Sequence, residues 1–309
     1  MDGARSAQRA IRTVGGVCGH AGPVRFGLMS IPGRTQDVVA DARSAEELGF
    51  DLVATADHLR HPRDAAFPSL DGWSVLAAWA ALTQRVRIAM LVSNLIYRDA
   101  TLLAKQAIAV DQLSAGRLDL GIGAGVYATD HEMAGVPEWT PAERVARLSE
   151  LVRAVDSALR GATSFDGRFY SYRNAAWSPG PVQDPRPPIA IGAVGPRMLR
   201  LTAEVADVWS AFGGIGLDDE DAFFSALRHQ IGLLDRSCER IGRDPRALRR
   251  SLLAYRPLTP WQSPAAFEQV VHAAHELGFD ELILYTPAND EERQVFENVS
   301  PTLPSFQAL

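Results

Sequence analysis

Eight short, apolar, β-prone runs recur along this chain, and most are followed by a stretch with helical spacing. The runs are Val24–Ser30, Leu52–Ala56, Val86–Val92, Leu118–Ile122, Pro188–Ala193, Val205–Ala211, Arg250–Tyr255 and Glu281–Tyr285. Helical patterns fall at Asp37–Leu48, which stops at Gly49, and at Trp73–Leu82 and Thr101–Leu113. Others start at Pro141, near Asp219–Ile241 and at Pro264–Leu277. Strands buried on both faces of a parallel sheet read as continuous apolar runs, and several of these do. Eight such units within 309 residues predict an α/β chain folded as a TIM (β/α)8 barrel. A doubly wound open sheet is the alternative. The loop after the first run, Ile31-Pro-Gly-Arg-Thr35, lacks the glycine fingerprint that such a sheet would favour.

The rhythm breaks once. Residues 161–187 are rich in Gly, Pro, Ser and aromatics, and too long for an ordinary connector. They read as an insertion between the fourth and fifth strands, with one strand-like piece at Gly167–Tyr172. Residues 1–22 read as a flexible leader, and 23–309 as a single barrel domain.

Composition narrows the partners. A net charge of −6 without a long basic block argues against nucleic acid and against anionic membranes. No apolar run reaches the roughly 18 residues of a spanning helix, and the first 22 residues lack the apolar core of a secretory signal. The two cysteines, Cys18 and Cys238, have no metal-ligand spacing and suit a reducing, cytoplasmic setting. His272 and His275 lie three apart on a helix with no further ligand in register, so no metal is expected. A small molecule is the expected partner.

Chemistry concentrates where the runs end. The carboxyl ends of parallel strands carry the active sites of barrels. The second run passes from Leu-Val-Ala-Thr-Ala into Asp57-His58, and histidine is the side chain most easily poised to move protons near neutral pH. The third run ends on Ser93 and Asn94, and the fourth on Gly123-Ala-Gly125, Val126 and Tyr127. The fifth ends on Gly192-Ala-Val-Gly195 and enters a helix at Pro196. Small residues ahead of a helix start let backbone N–H groups approach a phosphate, although a tight turn explains each glycine pair without a ligand. The serines lack a nucleophile-elbow sequence.

Four segments together resemble the luciferase-like monooxygenase superfamily, in its branch dependent on the deazaflavin coenzyme F420. They are Ala45–Leu59 with its Ala-Asp-His-Leu end, Thr101–Gly125, Gly167-Arg-Phe-Tyr170, and Pro187–Gly195 with Ala206-Asp-Val-Trp209. The resemblance implies a barrel with a central insertion and a flavin or deazaflavin at the carboxyl rim. It implies that His58 transfers a proton beside the ring and that Asp57 helps hold the ring. Met90, Leu91 and Ser93 would follow the ring face, with a cis peptide near Met90-Leu91. Gly123, Gly125 and Tyr127 would border the ribityl side, and Gly192, Ala193, Val194 and Gly195 the phosphate. It implies a homodimer.

Members that oxidise sugar phosphates carry an acid where this chain has Val126, and lysines where it has only Lys105. A less charged organic substrate fits better. The leading expectation is hydride transfer between F420 and such a substrate, with His58 as proton donor or acceptor. An FMN-dependent monooxygenase is the second, and a flavin-binding barrel without turnover the third.

Overall fold

A computed structural model of the protein describes residues 23–307, and the segment read as a leader lies outside them. Eight parallel strands close into a barrel in which β1 (Arg25–Met29) pairs with both β2 (Leu52–Thr55) and β10 (Glu281–Tyr285). Between them, in spatial order, lie β3 (Arg87–Asn94), β4 (Leu118–Gly123), β7 (Ile189–Gly192), β8 (Val208–Ala211) and β9 (Arg249–Ala254). Each barrel strand falls within two or three residues of its expected run. The outer helices are α1 (Thr35–Glu47), α2 (Gly72–Leu82), α3 (Ala100–Leu113), α5 (Pro141–Leu159), α6 (Pro196–Val205), α7 (Glu220–Arg240), α8 (Pro264–Glu276) and α9 (Asp290–Val299).

Local chemistry starts these helices. Asp71, Asp99, Thr140, Asp219, Ser263 and Asn289 each accept a backbone N–H of the first turn. Such caps satisfy donors that a helix start leaves unpaired. All six therefore mark where the chain turns back from the carboxyl rim.

The connection from β4 to β7 carries the insertion. It holds a short helix, α4 (Ala128–Ala134), then α5, then a hairpin of β5 (Phe165–Asp166) and β6 (Ser171–Tyr172). The strand expected over 167–172 is thus only its last two residues. The chain before it turns, because the Glu150 carboxylate on α5 accepts the N–H groups of Phe169 at 2.5 Å and Tyr170 at 2.7 Å. No helix of the described residues is long and apolar enough to cross a membrane. Cys238 is a buried free thiol.

Strand alternation sorts the side chains into two sets. Residues such as Phe26, Val53, Ile88, Met90, Leu120, Ile191, Trp209, Leu252 and Leu282 pack against the helices in the large outer core. Met29, Leu52, Ala54, Ala89 and Ile283 form a separate inner layer, with Leu91, Leu253 and Tyr285 packed above them. Below that layer, at the amino ends of the strands, the barrel floor is charged. Asp119 accepts two hydrogen bonds from Arg87, at 2.7 and 3.0 Å, and lies 3.4 Å from Arg249. Glu281 pairs with Arg25 at 3.2 Å. Burial alone would raise the Asp119 carboxyl, but the Arg87 and Arg249 guanidinium groups hold it below its ordinary value.

Removing the carboxylate in Asp119→Ala leaves two arginines facing each other in the floor. This should cost about 3 kcal/mol at neutral pH, read from urea midpoints. Because the folded-state pKa is depressed, the wild-type advantage is present above about pH 4 and should shrink as the pH falls below it. An equal midpoint at pH 7 would contradict this role.

Candidate active site

A cavity of about 1280 Å³ opens at the carboxyl ends of the strands. It exceeds the usual range for one small ligand and has room for a cofactor and a substrate together.

His58 follows β2 and faces this cavity with its side chain 24% exposed. Its Nδ1 lies 3.0 Å from Oδ2 of Asp130, a fully buried carboxylate on α4. The same oxygen accepts the Asn94 side-chain amide at 2.8 Å. A carboxylate can only accept when ionised, so Nδ1 is the donor and Nε2 is the nitrogen left for the cavity. Tyr127 sets its ring edge-on to the imidazole at 5.4 Å. The arrangement fixes the imidazole orientation and leaves one ring nitrogen for the cavity.

Asp57, one residue earlier, has a different task from the expected one. It borders the cavity but is 2% exposed, and its carboxylate is fully engaged within the protein. Arg98 grips both oxygens, at 2.9 and 2.6 Å, and the Asn94 backbone N–H donates to Oδ2 at 3.0 Å. The Tyr97 hydroxyl donates to the Asp57 carbonyl. Burial, then the Asp57 and Asp130 carboxylates, push the Tyr97 phenol far up, so it stays protonated. Asp57 therefore fastens the loop after β3 instead of reaching for a ring, and that loop delivers Asn94 to Asp130.

Strand β3 brings a second adjustment. The cis peptide is Leu91-Val92, one bond beyond the expected position. It sits inside a register shift between β3 and β4 that spans Met90 to Ser93. Leu91 and Val92 line the cavity. Met90 and Ser93 do not: Met90 belongs to the outer core, and the fully buried Ser93 hydroxyl has no protein partner among the described residues. Gly123 and Gly125 both border the cavity. Their lack of side chains is demanded first by the protein itself. A Cβ on Gly123 would lie 2.1 Å from Val92, and Gly125 has φ of +61° with Ile96 and Asn94 close by.

At β7, Gly192, Val194 and Gly195 line the cavity, while Ala193 is buried behind them and accepts the Trp209 indole N–H at 2.9 Å. Trp209 is consequently core, not rim. Gly195 caps α6 without any side-chain acceptor, and space is open where its Cβ would be. Backbone donors are thus left for an outside anion, and Pro196 begins the helix behind them. The donor set and the space fit the phosphate end of a flavin-type cofactor.

The sequence reading missed three contributors. Asp130 lies on a seven-residue helix, in a stretch between Tyr127 and Pro141 to which the sequence assigns no element. Its only signal is its place three residues after Tyr127. Tyr255, at the end of β9, and Arg63, in the loop after β2, meet in space, where the Arg63 guanidinium donates to the Tyr255 hydroxyl. Tyr285, which the sequence already places at the end of the eighth run, lies beside them, with its ring 6.4 Å from that of Tyr255.

Comparisons with known proteins agree with this architecture. The model of the luciferase-like monooxygenase family matches residues 18–252. An F420-dependent glucose-6-phosphate dehydrogenase of Beutenbergia cavernae is 33% identical over 186 residues, covering 59% of this chain and 54% of that protein. The chain spans between about half and seven tenths of the length of the curated relatives it matches. Among solved structures, an F420-dependent secondary alcohol dehydrogenase in complex with an F420-acetone adduct superposes with a TM-score of 0.77 at 17% identity, covering 91% of this chain and 99% of the other. The oxygenating constituent of a 3,6-diketocamphane monooxygenase of Pseudomonas putida, in complex with FMN, gives 0.66 at 15% identity, covering 93% and 96%. With three quarters of its length matched by the family model and the same closed barrel around its rim cavity, the chain belongs to the luciferase-like monooxygenase family.

Proposed function

We propose that the protein is an oxidoreductase that transfers a hydride between coenzyme F420 and a small, uncharged organic substrate. The observation that carries this reading is His58, held through Nδ1 by buried Asp130 and presenting Nε2 to a rim cavity large enough for both molecules. When bound, the deazaflavin supplies the hydride chemistry. The chain supplies the rest. Gly192, Val194 and Gly195 with the start of α6 hold the phosphate. Leu91 and Val92 border the ring, and Gly125 lies toward the ribityl chain. His58 gives or takes the accompanying proton at Nε2, and Asp130 stabilises the imidazolium formed when it takes one.

The substrate side supports an uncharged molecule. Val126 stands at the cavity where an acid would serve a sugar phosphate, and Lys105 on α3 is not among the residues around the cavity. The second reading, an FMN-dependent monooxygenase, draws on the same open phosphate end, which FMN would also satisfy. The third, a barrel without turnover, is disfavoured by the accessible His58. We further propose a cytoplasmic homodimer acting on small molecules, with neither nucleic acid nor membrane as partner.

His58→Ala should keep F420 affinity within about threefold, by fluorescence titration, while F420-linked turnover falls about 100-fold or more. Unchanged turnover would remove His58 from the mechanism. Asp130→Asn replaces the acceptor with an amide and disturbs the tautomer, so turnover should fall about 10- to 100-fold with cofactor affinity retained. A loss confined to cofactor binding would contradict the proposed task of Asp130.

A further inference from the structure

Three strands round the barrel from His58, the wall at the end of β9 carries polar groups that the reading above does not use. Tyr255 packs its ring edge-on to Phe212 at 6.2 Å and beneath the Arg63 guanidinium, 5.0 Å from the ring centre. The Tyr255 oxygen accepts a hydrogen bond from Arg63, and the Tyr127 hydroxyl faces it from the β4 side. The Tyr127 ring in turn packs against His58, 5.4 Å between centres. A continuous line of side chains thus runs across the cavity from His58 through Tyr127 and Tyr255 to Arg63.

This wall offers donors. Burial pushes the Tyr127 phenol up to about 12 and the Tyr285 phenol higher still, so both keep their protons at any working pH. The Tyr255 oxygen accepts from the Arg63 guanidinium, which leaves its proton as what the hydroxyl can give. Around these groups the cavity is apolar, with Ile31, Leu258 and Trp261 among its lining residues. At the mouth the acids Asp64, Glu291 and Glu292 offset Arg63 and Arg256, so the field does not favour an anion. Donors on an apolar bed, without net positive charge, select a neutral molecule that bears an acceptor oxygen.

We propose that Tyr255 is the substrate-holding donor opposite His58, that its O–H binds the oxygen of a neutral, apolar carbonyl compound or of the corresponding alcohol, and that Arg63 positions Tyr255 for this. In the reducing direction the carbonyl carbon gains the hydride from reduced deazaflavin, which becomes oxidised. The C=O π pair then forms the new O–H bond with the proton from His58 Nε2. In the oxidising direction the alcohol C–H bond gives its hydride to oxidised deazaflavin, the O–H electron pair becomes the C=O π bond, and His58 Nε2 takes the proton. Tyr255 stabilises the charge that develops on oxygen and keeps its own proton. This assignment rests on the F420 reading for turnover but not for binding.

The test uses the full chain, saturated with whichever of F420 or FMN it binds, and calorimetric titration with acetophenone, ethylbenzene and benzoate. The wild type should prefer the ketone over ethylbenzene about tenfold. Tyr255→Phe should abolish that preference and leave ethylbenzene affinity unchanged, which also reports an intact cavity. Arg63→Gln should lose part of the preference and Arg63→Lys should restore it. Ketone reduction by reduced F420 should show kcat about 100-fold lower in Tyr255→Phe. A wild type that prefers benzoate, or that treats ketone and hydrocarbon alike, would overturn the proposal, as would a Tyr255→Phe variant that keeps the preference. A Tyr255-dependent ketone preference in an FMN-loaded protein without F420 turnover would support the Tyr255 assignment and sink the F420 reading instead.

Discussion

The site depends on the buried pair of Asp57 and Arg98. The Asp57 carboxylate stands at the end of β2 with both oxygens held by one guanidinium and one of them also by the Asn94 N–H. Arg98 reaches on to Asp71, the cap of α2, at 3.0 Å. One ion pair therefore ties three rim segments together. Its direct product is the placement of Asn94, whose amide meets Asp130, and through Asp130 the orientation of His58. The acid next to His58 is thus spent on rigidity, while an acid 72 residues away holds the imidazole. Alternation along the chain accounts for the division of labour, since neighbours at a strand end face different surroundings.

The same alternation stacks the barrel interior in layers. Charged pairs close the floor, a thin apolar layer lies over them, and polar groups with open space occupy the rim. Each layer serves the next. The floor satisfies charges that would be costly if left alone, and the apolar layer keeps water from reaching the site from below.

Much of this was legible in the sequence. Short β-prone runs marked every barrel strand, and several were continuously apolar because parallel strands buried on both faces need apolar residues on both. The strand-end position of His58 and the glycines before Pro196 were equally visible. What escaped was set by tertiary geometry. Met90 and Leu91 are adjacent and both apolar, and only the register decides that Leu91 faces the cavity while Met90 joins the outer core. Gly123 reads as an invitation to a ligand, yet its first duty is to pass Val92. Asp130, Arg63 and Tyr255 come from α4, the loop after β2 and the end of β9, with no shared spacing, so no linear pattern could bring them together.

The barrel, the helix start at Gly195 and the oriented His58 suit two cofactors with a common phosphate end, and we propose that this chain is built around the deazaflavin. The most direct measurement is an equilibrium titration of the purified protein with F420 and with FMN side by side, followed by absorbance and fluorescence. F420 should bind saturably at micromolar concentration or below, with FMN binding markedly weaker. Tight FMN binding with no affinity for F420 would contradict it.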